Sequence, residues 1–268
     1  MGRIVTGLIL AIGWLLLLLV GTYPLFCFVI TIGGGVALYE FLRMSSPRAE
    51  QKHITPGVIL GIFPLVAASL WGSTGIISSL FLALFILVII TIAVYPSLDN
   101  GLFFISRLWF GIFYVGFCSA HLILLRSLPQ GIYWLLVLTA VTAFSDTGAY
   151  YVGRAVGKTK LYPALSPGKT RAGAVGGIIG GMLGGLVVAA ILFEGINPVT
   201  VAILGLLLSA IGIIGDLIES FIKRVSGVKD SGQILPGHGG LLDRCDSLLL
   251  TAPALYYVIF WGHTLLLK

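Results

Sequence analysis

Acidic residues in an apolar setting are the first chemically informative feature of this chain of 268 residues. The stretch 216–246 holds five of the ten acidic residues, although strongly apolar sequence flanks it on both sides. They are Asp216, Glu219, Asp230, Asp243 and Asp246. Carboxylates that enter a membrane segment are costly and are functional-site candidates by default. Basic residues and a glycine-rich turn, Pro236–Gly240, lie between them. Together these groups predict a metal-assisted phosphate site.

The spacing of the acids predicts that they converge. Asp216, Glu219 and Ser220 are three and four residues apart, so they share one side of a helix. Asp243 and Asp246 share one face of the first turn of the last apolar segment, where negative charge also suits the helix dipole. Asp216, Asp243 and Asp246 therefore predict a hard-cation site, since Mg²⁺ takes few carboxylates and otherwise binds substrate phosphates.

Salt bridges are the alternative explanation for these acids. Four basic residues are available in the same stretch: Lys223, Arg224, Lys229 and Arg244. Ion pairing alone would not require the acids to meet at a membrane boundary, so the metal site is favoured.

A second chemical region opens with Asp146, near the end of another apolar segment. The basic residues of the loop beyond it are Arg154, Lys158, Lys160, Lys169 and Arg171. An ordinary cytoplasmic loop would look similar, but the carboxylate needs a partner or an ion. Ser166–Thr170 resembles the end of a P-loop, yet Pro163 stands where the first glycine belongs and no strand precedes it, so a Walker A motif is excluded. The lysine and hydroxyls of a flexible loop can still bind a triphosphate.

Composition places the chain in a membrane. Its residues are 58% hydrophobic and 10% charged, with a mean hydropathy of +1.08. A soluble domain could not bury that much apolar surface. The first apolar stretch, 4–20, lacks a small-residue cleavage site and is predicted to be a retained helix rather than a signal peptide. Cys27, Cys118 and Cys245 show no metal-ligand spacing and are expected to be free thiols.

Nine apolar runs predict an all-α integral membrane protein with nine transmembrane helices. They cover 4–20, 22–41, 56–73, 75–95, 102–125, 131–151, 172–193, 198–224 and 241–264. With the N-terminus in the cytoplasm, fourteen of the sixteen basic residues fall on the cytoplasmic side. The positive-inside rule thus predicts a cytoplasmic N-terminus and a C-terminus on the opposite side. The net charge of +6 is assigned to topology and to anionic lipid or nucleotide, not to nucleic acid.

The two halves of the chain differ in chemical content. Residues 1–130 are predicted to be a scaffold of five spans, with Arg107 and His121 in structural roles. Residues 131–268 are predicted to be the catalytic region, with four spans and cytoplasmic loops at 152–171 and 225–241.

Glycines four residues apart mark the seventh span. They form two rows on one side of the helix: Gly173, Gly177, Gly181 and Gly185, and Gly176, Gly180 and Gly184. Small residues at this spacing permit tight helix packing. The stripe predicts a helix interface, either within the chain or between the subunits of a homodimer. Asn197 followed by Pro198 predicts the N-cap and first residue of the eighth span.

One pattern in the C-terminal half resembles the complete signature of the phosphatidate cytidylyltransferases, also called CDP-diacylglycerol synthases. It reads Ser220-x3-Arg224-x4-Lys229-Asp230-x5-Pro236-Gly-His-Gly-Gly240-x2-Asp243-Arg244-x-Asp246. The block from Asp146–Tyr150 through Ser166–Thr170 is similar to the family's other recurrent region. The nine-span pattern is similar too, so the resemblance covers the whole chain and is most specific in its C-terminal half.

The resemblance implies a nucleotidyltransferase that converts CTP and phosphatidic acid to CDP-diacylglycerol and pyrophosphate. It implies dependence on Mg²⁺, with room for a second cation, divalent or monovalent. It also implies a multi-pass protein of the cell inner membrane whose active site faces the cytoplasm. The residues agree on independent grounds, because the nucleotide must come from the cytoplasm, where the basic loops lie, and the lipid phosphate stays at the interface, where the acids lie.

The resemblance and the chemistry together assign roles to individual residues. Metal binding is expected of Asp216, Asp243, Asp246 and Asp146. Catalysis is expected to involve Asp216, Asp243, Asp246, Lys229, Arg244 and His238. Substrate binding is expected of Lys169, Arg171, Ser220, Arg224, Lys229, Asp230, Gly237, Gly239 and Gly240.

Two other classes of function remain open at this point. A secondary transporter also places carboxylates within helices, but it would show related repeats in two halves, whereas the charged motifs here crowd into one half. A CTP-dependent lipid-alcohol kinase is the nearer alternative, and it would release CDP rather than pyrophosphate.

Overall fold

The structure, a computed structural model, describes residues 2–235, 237 and 239–266. The α-helices are Gly2–Leu19 (α1), Tyr23–Ser45 (α2), Ile54–Val94 (α3), Gly101–Gly111 (α4), Cys118–Ser127 (α5), Gly131–Val156 (α6), Arg171–Leu192 (α7), Pro198–Val225 (α8) and Leu242–Leu266 (α9). A π-helical segment, Ile112–Phe117, joins α4 to α5, and 3₁₀ helices lie at Arg48–His53 and Tyr95–Ser97. Two short strands, Lys160–Tyr162 (β1) and Ser166–Thr170 (β2), lie between α6 and α7.

Seven helices in the described part of the chain are long and apolar enough to cross a membrane. They are Tyr23–Ser45, Arg48–Ser97, Gly101–Ser127, Gly131–Val156, Arg171–Leu192, Pro198–Val225 and Leu242–Gly262. A shorter apolar helix, Val5–Leu19, precedes them. The prediction of an all-α membrane protein is confirmed.

Helix α3 is too long to be a single ordinary span. Its 41 residues would extend about 61 Å if straight, about twice the thickness of a hydrocarbon core. Gly72 interrupts the helical backbone with φ 63° and ψ −147°, a backbone conformation that residues other than glycine rarely adopt. The predicted count of nine spans treats α3 as two spans and α1 as one, and it stays a prediction.

The chain forms two compact units. Unit 1 comprises Met1–Ser127 with Val225–Cys245, and unit 2 comprises Leu128–Arg224 with Asp246–Lys268. The boundary predicted near residue 130 lies close to the first of these divisions. The segment 225–245, however, groups with the N-terminal helices rather than with the C-terminal half. The scaffold and catalytic roles assigned to the two halves stay predictions.

The core of unit 1 is formed where α2 packs against α3 and α5. Leu38 and Leu42 of α2 are completely buried there. Arg107 of α4 forms an ion pair with Glu50, and the imidazole Nδ1 of buried His121 lies 2.8 Å from the Phe117 carbonyl oxygen. These contacts are the kind expected of a buried polar group in a structural role.

Unit 2 is organised by the backbone contact of α6 with α7. A Cβ atom at Gly148 would lie 2.5 Å from the carbonyl oxygen of Gly176. One at Gly180 would lie 2.6 Å from that of Phe144, and one at Gly181 2.8 Å from that of Val141. The glycine stripe therefore serves helix packing within the chain. Because these glycines contact α6 of the same chain, the stripe no longer supports the predicted homodimer.

The segment between α6 and α7 is a β-hairpin rather than the irregular flexible loop that the sequence suggested. Lys160 pairs with Thr170 and Tyr162 with Ser166 in antiparallel register. The Thr170 side chain accepts a hydrogen bond from the amide of Gly173 at 3.0 Å, so the end of β2 also caps α7.

Helix α8 begins as predicted. The Asn197 side chain accepts a hydrogen bond from the amide of Val199 at 2.9 Å, and Pro198 is the first helical residue.

Candidate active site

Three carboxylates converge where α8 and α9 approach each other in unit 2. Asp216, Glu219 and Asp246 each offer an oxygen atom within 4.8 Å of those of the other two. The helices approach closely because Gly215 has no side chain, and a Cβ atom there would lie 2.8 Å from the carbonyl oxygen of Asp246. Asp216 and Glu219 are three residues apart on α8, so they share one side of the helix. The structure thus brings together Asp216 and Asp246, two of the predicted metal ligands.

Two lysines neutralise part of this carboxylate cluster. Lys169, at the end of β2, forms an ion pair with Asp216. Lys223 lies one turn beyond Glu219 on α8 and pairs with it at 2.7 Å. The salt bridges considered as an alternative to a metal site are therefore present, and the acids nevertheless converge. An ammonium on a long flexible side chain can move aside when a cation or phosphate arrives.

Asp146 of α6 belongs to the same electrostatic environment. It lines a cavity together with Asp216 and Lys169. The Asp146 side chain is exposed. Three of the four predicted metal ligands thus lie in unit 2, and their role as ligands stays a prediction.

A cavity of about 620 Å³ adjoins this cluster within unit 2. The hairpin and helices α6, α7 and α8 form its wall. The charged residues that line it are Asp146, Arg154, Lys160, Lys169 and Asp216. Its volume lies within the range of about 300–1,000 Å³ that is common for small-molecule sites. The cavity therefore offers three cationic side chains and two carboxylates to a single ligand.

The glycine turn that precedes α9 belongs to unit 1, and Asp243 organises it. One oxygen of the Asp243 carboxylate accepts hydrogen bonds from the amides of Gly240 at 2.8 Å and Ser231 at 3.0 Å. Gly239 has φ 83°, and a Cβ atom there would lie 2.5 Å from the Asp243 carboxylate. The metal role of Asp243 stays a prediction, and the described contacts of its carboxylate are with backbone amides of the turn.

A second carboxylate reaches the same turn from α2. Glu40 is almost completely buried, with 2% of its surface exposed. Its Oε2 atom accepts hydrogen bonds from the amide of Leu242 at 2.9 Å and from the hydroxyl of Ser231 at 3.4 Å. Buried carboxylates persist where such hydrogen bonds compensate for lost hydration.

The remaining predicted residues have varied surroundings. Arg171 is exposed at the first residue of α7, Ser220 is half-buried on α8, and Arg224 donates to the Leu165 carbonyl oxygen at 3.2 Å within unit 2. The predicted site residues of unit 1 that are exposed or half-exposed are Lys229, Asp230, Gly237, Gly239 and Arg244. Gly240 is buried. His238 and Pro236 lie outside the described residues.

Several site residues escaped the sequence-based assignment. Glu219 joins the carboxylate cluster, and its three-residue spacing from Asp216 was a usable signal. Arg154 and Lys160 line the cavity, but nothing in the loop sequence separates them from Lys158. Glu40 is a lone acid in an apolar helix, and its spacing to other residues gave no indication of its partners.

The chain is similar to known proteins over most of its length. A family model described as the cytidylyltransferase family matches residues 1–261. A protein of Bacillus subtilis named phosphatidate cytidylyltransferase is 37% identical over 265 residues, which cover 96% of each chain. A protein of the same name from Staphylococcus haemolyticus is 34% identical and covers 94% of this chain and 96% of its own. One from Brucella suis is 46% identical over 147 residues, or 54% of each chain.

These matches show that the chain belongs to the cytidylyltransferase family. The family resemblance predicted from the signature residues is confirmed. The chain is accordingly a nucleotidyltransferase.

Proposed function

We propose that this protein transfers CMP from CTP to phosphatidic acid, giving CDP-diacylglycerol and pyrophosphate. The full-length relatives that carry the name phosphatidate cytidylyltransferase support this substrate pair. The observation that carries the proposal is the carboxylate cluster of unit 2 beside a cavity with three basic side chains. A nucleoside triphosphate needs cationic groups for its phosphates and carboxylates for an accompanying divalent cation.

The cavity is proposed as the CTP site. Lys169, Arg154 and Lys160 would bind phosphate oxygens, and exposed Arg171 beside them would extend the positive surface. Lys169 has a particular position, because it forms an ion pair with Asp216 and also lines the cavity. Its ammonium group can therefore exchange the ion pair with Asp216 for one with a phosphate when the nucleotide enters.

The donor set of the cluster fits Mg²⁺. Three carboxylate oxygens close together are hard oxygen ligands, and Mg²⁺ commonly combines one or two carboxylates with water and substrate phosphates. Asp216 and Asp246 are the proposed ligands, with Glu219 and Asp146 next to them. Asp243, expected to be a ligand from its spacing to Asp246, is proposed as a further one. When bound, the ion would neutralise the charge that develops on the phosphates of CTP. A second cation, divalent or monovalent, could bind the carboxylates of Glu219 and Asp146.

The proposed chemical step needs no nucleophile from the protein. A phosphate oxygen of phosphatidic acid forms a bond to the α-phosphorus of CTP, and the bond from that phosphorus to the bridging oxygen of the β-phosphate breaks. Pyrophosphate leaves with the bonding electrons. Positioning and charge neutralisation then supply most of the catalysis.

The protein side chains would bind and orient the two phosphates. Lys229 and Arg244 are proposed for the lipid phosphate or the departing pyrophosphate, with Arg224 and Ser220 orienting a ligand. The turn amides of Gly237 and Gly239 would bind an anionic oxygen, and Asp230 is proposed beside them for substrate binding. The Gly240 amide, also expected to bind substrate, donates instead to the Asp243 carboxylate at 2.8 Å. His238 is proposed as a hydrogen-bond donor or proton shuttle.

The proposed membrane arrangement has nine spans. It counts α1 as one span and α3 as two spans that meet at Gly72. The N-terminus and the active site face the cytoplasm, where the positive-inside rule places most of the basic residues, and the C-terminus lies on the opposite side. In a bacterium the membrane would be the inner one, where CTP is available.

Nucleotide turnover by the purified protein tests the proposed function. Labelled CTP is supplied with phosphatidic acid and Mg²⁺, each alone and together. Release of pyrophosphate and formation of a labelled lipid are expected only in the complete mixture. Release of CDP with a phosphorylated lipid alcohol would indicate a kinase instead, and transport into liposomes without nucleotide turnover would indicate a transporter.

A further inference from the structure

The buried carboxylate of Glu40 has no role in the reaction described so far. It lies in α2, in apolar sequence, and is separated by 191 and 202 residues along the chain from the groups that bond to it. A carboxylate in this setting is expensive unless several donors surround it. Its hydrogen-bond partners, Ser231 and Leu242, therefore indicate its role.

Those partners belong to one structural junction, the start of α9. Leu242 is the first residue of α9, and its amide has no partner within the helix. Glu40 accepts that hydrogen bond at 2.9 Å. It supplies from another helix the acceptor that an N-cap side chain usually provides.

Glu40 and Asp243 share the polar groups of the turn between them. Asp243 accepts from the amides of Ser231 and Gly240, whereas Glu40 accepts from the hydroxyl of Ser231 and the amide of Leu242. Ser231 is thus held by both carboxylates. The beginning and the end of the segment 231–242 are fixed to the same pair of side chains.

The backbone of this segment touches the Glu40 carboxylate directly. A Cβ atom at Gly232 would lie 2.5 Å from Glu40 Oε1, and one at Gly240 would lie 2.5 Å from Glu40 Oε2. The Glu40 carboxylate therefore leaves no room for a side chain at Gly232, and at Gly240 it does so together with the Ser231 hydroxyl. Contact at two points restricts the turn more than hydrogen bonds alone would.

We propose that Glu40 is a positioning residue, which holds the segment 231–242 in the geometry that the reaction requires. The inference rests on the proposed function, because the segment and its flanks carry Lys229, Asp230, the turn glycines and Asp243. The hydrogen bonds described for Glu40 all go to this segment, which lies in unit 1. Loss of Glu40 should therefore lower the rate of the chemical step without weakening the binding of CTP.

The experiment compares Glu40→Ala and Glu40→Gln with wild type, in detergent, for pyrophosphate release. Misplacing reacting groups by about 1 Å can cost on the order of 10²-fold, and a kcat loss of that size is expected for Glu40→Ala. The KM for CTP should stay within about twofold of wild type, since the change is confined to the transition state. Glu40→Gln keeps an acceptor oxygen for Leu242 and should recover at least part of the rate.

The matched control is Glu50→Gln. Glu50 is likewise a buried acid of unit 1, but its described partner is Arg107. It should lower thermal stability while kcat per folded molecule stays at the wild-type value. Equal kcat losses in Glu40→Ala and Glu50→Gln, or a wild-type kcat in folded Glu40→Ala, would overturn the proposal.

Limited trypsin digestion gives a readout that does not depend on activity. Cleavage after Lys229 should be several times faster in Glu40→Ala than in wild type or in Glu50→Gln, because the turn is released. Unchanged cleavage contradicts the positioning role. If wild type releases no pyrophosphate, the proposed function fails, and digestion still decides whether Glu40 holds the turn.

Discussion

Four carboxylates of this protein have partners of two different kinds. In unit 2, Asp216 and Glu219 pair with the ammonium groups of Lys169 and Lys223. In unit 1, Glu40 and Asp243 accept hydrogen bonds from backbone amides around a glycine turn. Both arrangements stabilise negative charge, but their partners differ in mobility.

This difference in mobility suits the lysine-paired carboxylates to binding ligands and the amide-bonded carboxylates to positioning the chain. A lysine ammonium is a point charge on a flexible stem, so an ion pair with it can be exchanged for a metal or a phosphate. A backbone amide cannot leave without the fold changing, so a carboxylate bonded to amides fixes the chain in one shape. We therefore expect substitutions in unit 2 to change ligand binding and chemistry, and those at Glu40 to change the geometry of the turn.

Asp216→Asn should have the largest effect. It would weaken the binding of the Mg²⁺ that is proposed to neutralise developing charge. Removing one such stabilising group costs about 10²–10³-fold in kcat in other enzymes, so a loss of that size is expected. Pyrophosphate release measured over a range of Mg²⁺ concentrations should also show a weaker dependence on the metal. The control is Glu194→Gln, an exposed acid of the same unit that lies outside the cavity lining, which should keep wild-type kinetics. Full activity of Asp216→Asn would contradict the proposal that the carboxylates of unit 2 bind the metal.

Lys169→Met should raise the KM for CTP. A hydrogen bond to a charged group contributes about 1.5–3 kcal/mol, so an increase of roughly tenfold to a hundredfold is expected at 1.4 kcal/mol per factor of ten. Lys158→Met is the matched control, because Lys158 is an exposed lysine of the same connection and is absent from the described cavity lining. Equal changes in the two variants would mean that the loop contributes only general positive charge.

Gly232→Ala tests the positioning half of the comparison. The new methyl group would collide with the Glu40 carboxylate, and overpacking of this kind costs about 1–3 kcal/mol of stability. Glu40→Asp shortens the side chain, so the double variant should be more stable than the two single losses predict, as measured by thermal unfolding. Gly13→Ala, at a position with nothing within 4 Å, should be nearly neutral. Simple additivity in the double variant would contradict direct contact.

Thr170→Val should have the smallest effect of the four. It removes the acceptor for the Gly173 amide at the start of α7, a loss of about 1 kcal/mol for an N-cap residue. Thermal stability should fall slightly, with kcat little changed. Thr91→Val is a suitable control, because the Thr91 hydroxyl donates to the Leu87 carbonyl oxygen within α3. A large loss of kcat in Thr170→Val would show that Thr170, which lines the cavity, takes part in the chemistry.

Local features of the sequence predicted local features of the structure. The apolar runs predicted the membrane helices, Asn197–Pro198 predicted the start of α8, and the spacing of Asp216 and Asp246 from their neighbours predicted two acids on adjoining helices. Each of these depends on residues within one or two helical turns. The glycine stripe predicted tight packing but could not choose between α6 and a second subunit, because a pattern on one helix does not name its partner.

Contacts between distant parts of the chain could not be predicted in this way. Glu40 meets Ser231 and Leu242 across 191 and 202 residues, and an acid in an apolar helix has no periodicity from which to infer that. The hairpin between α6 and α7 was missed because its strands have only three and five residues, too few for an alternating pattern. Long-range pairing is decided by tertiary packing, which local propensity does not encode.

The break at Gly72 has a consequence for how the protein would be inserted into its membrane. From Ile54 to Val94 there is no Asp, Glu, Lys or Arg, so neither side of the break carries a charge that could be retained in the cytoplasm. In the proposed nine-span arrangement, the two parts of α3 would enter the bilayer together as a helical hairpin. Their direction would be inherited from Arg43, Arg48 and Lys52 ahead of them, so neutralising that short basic segment should invert this pair more readily than any other.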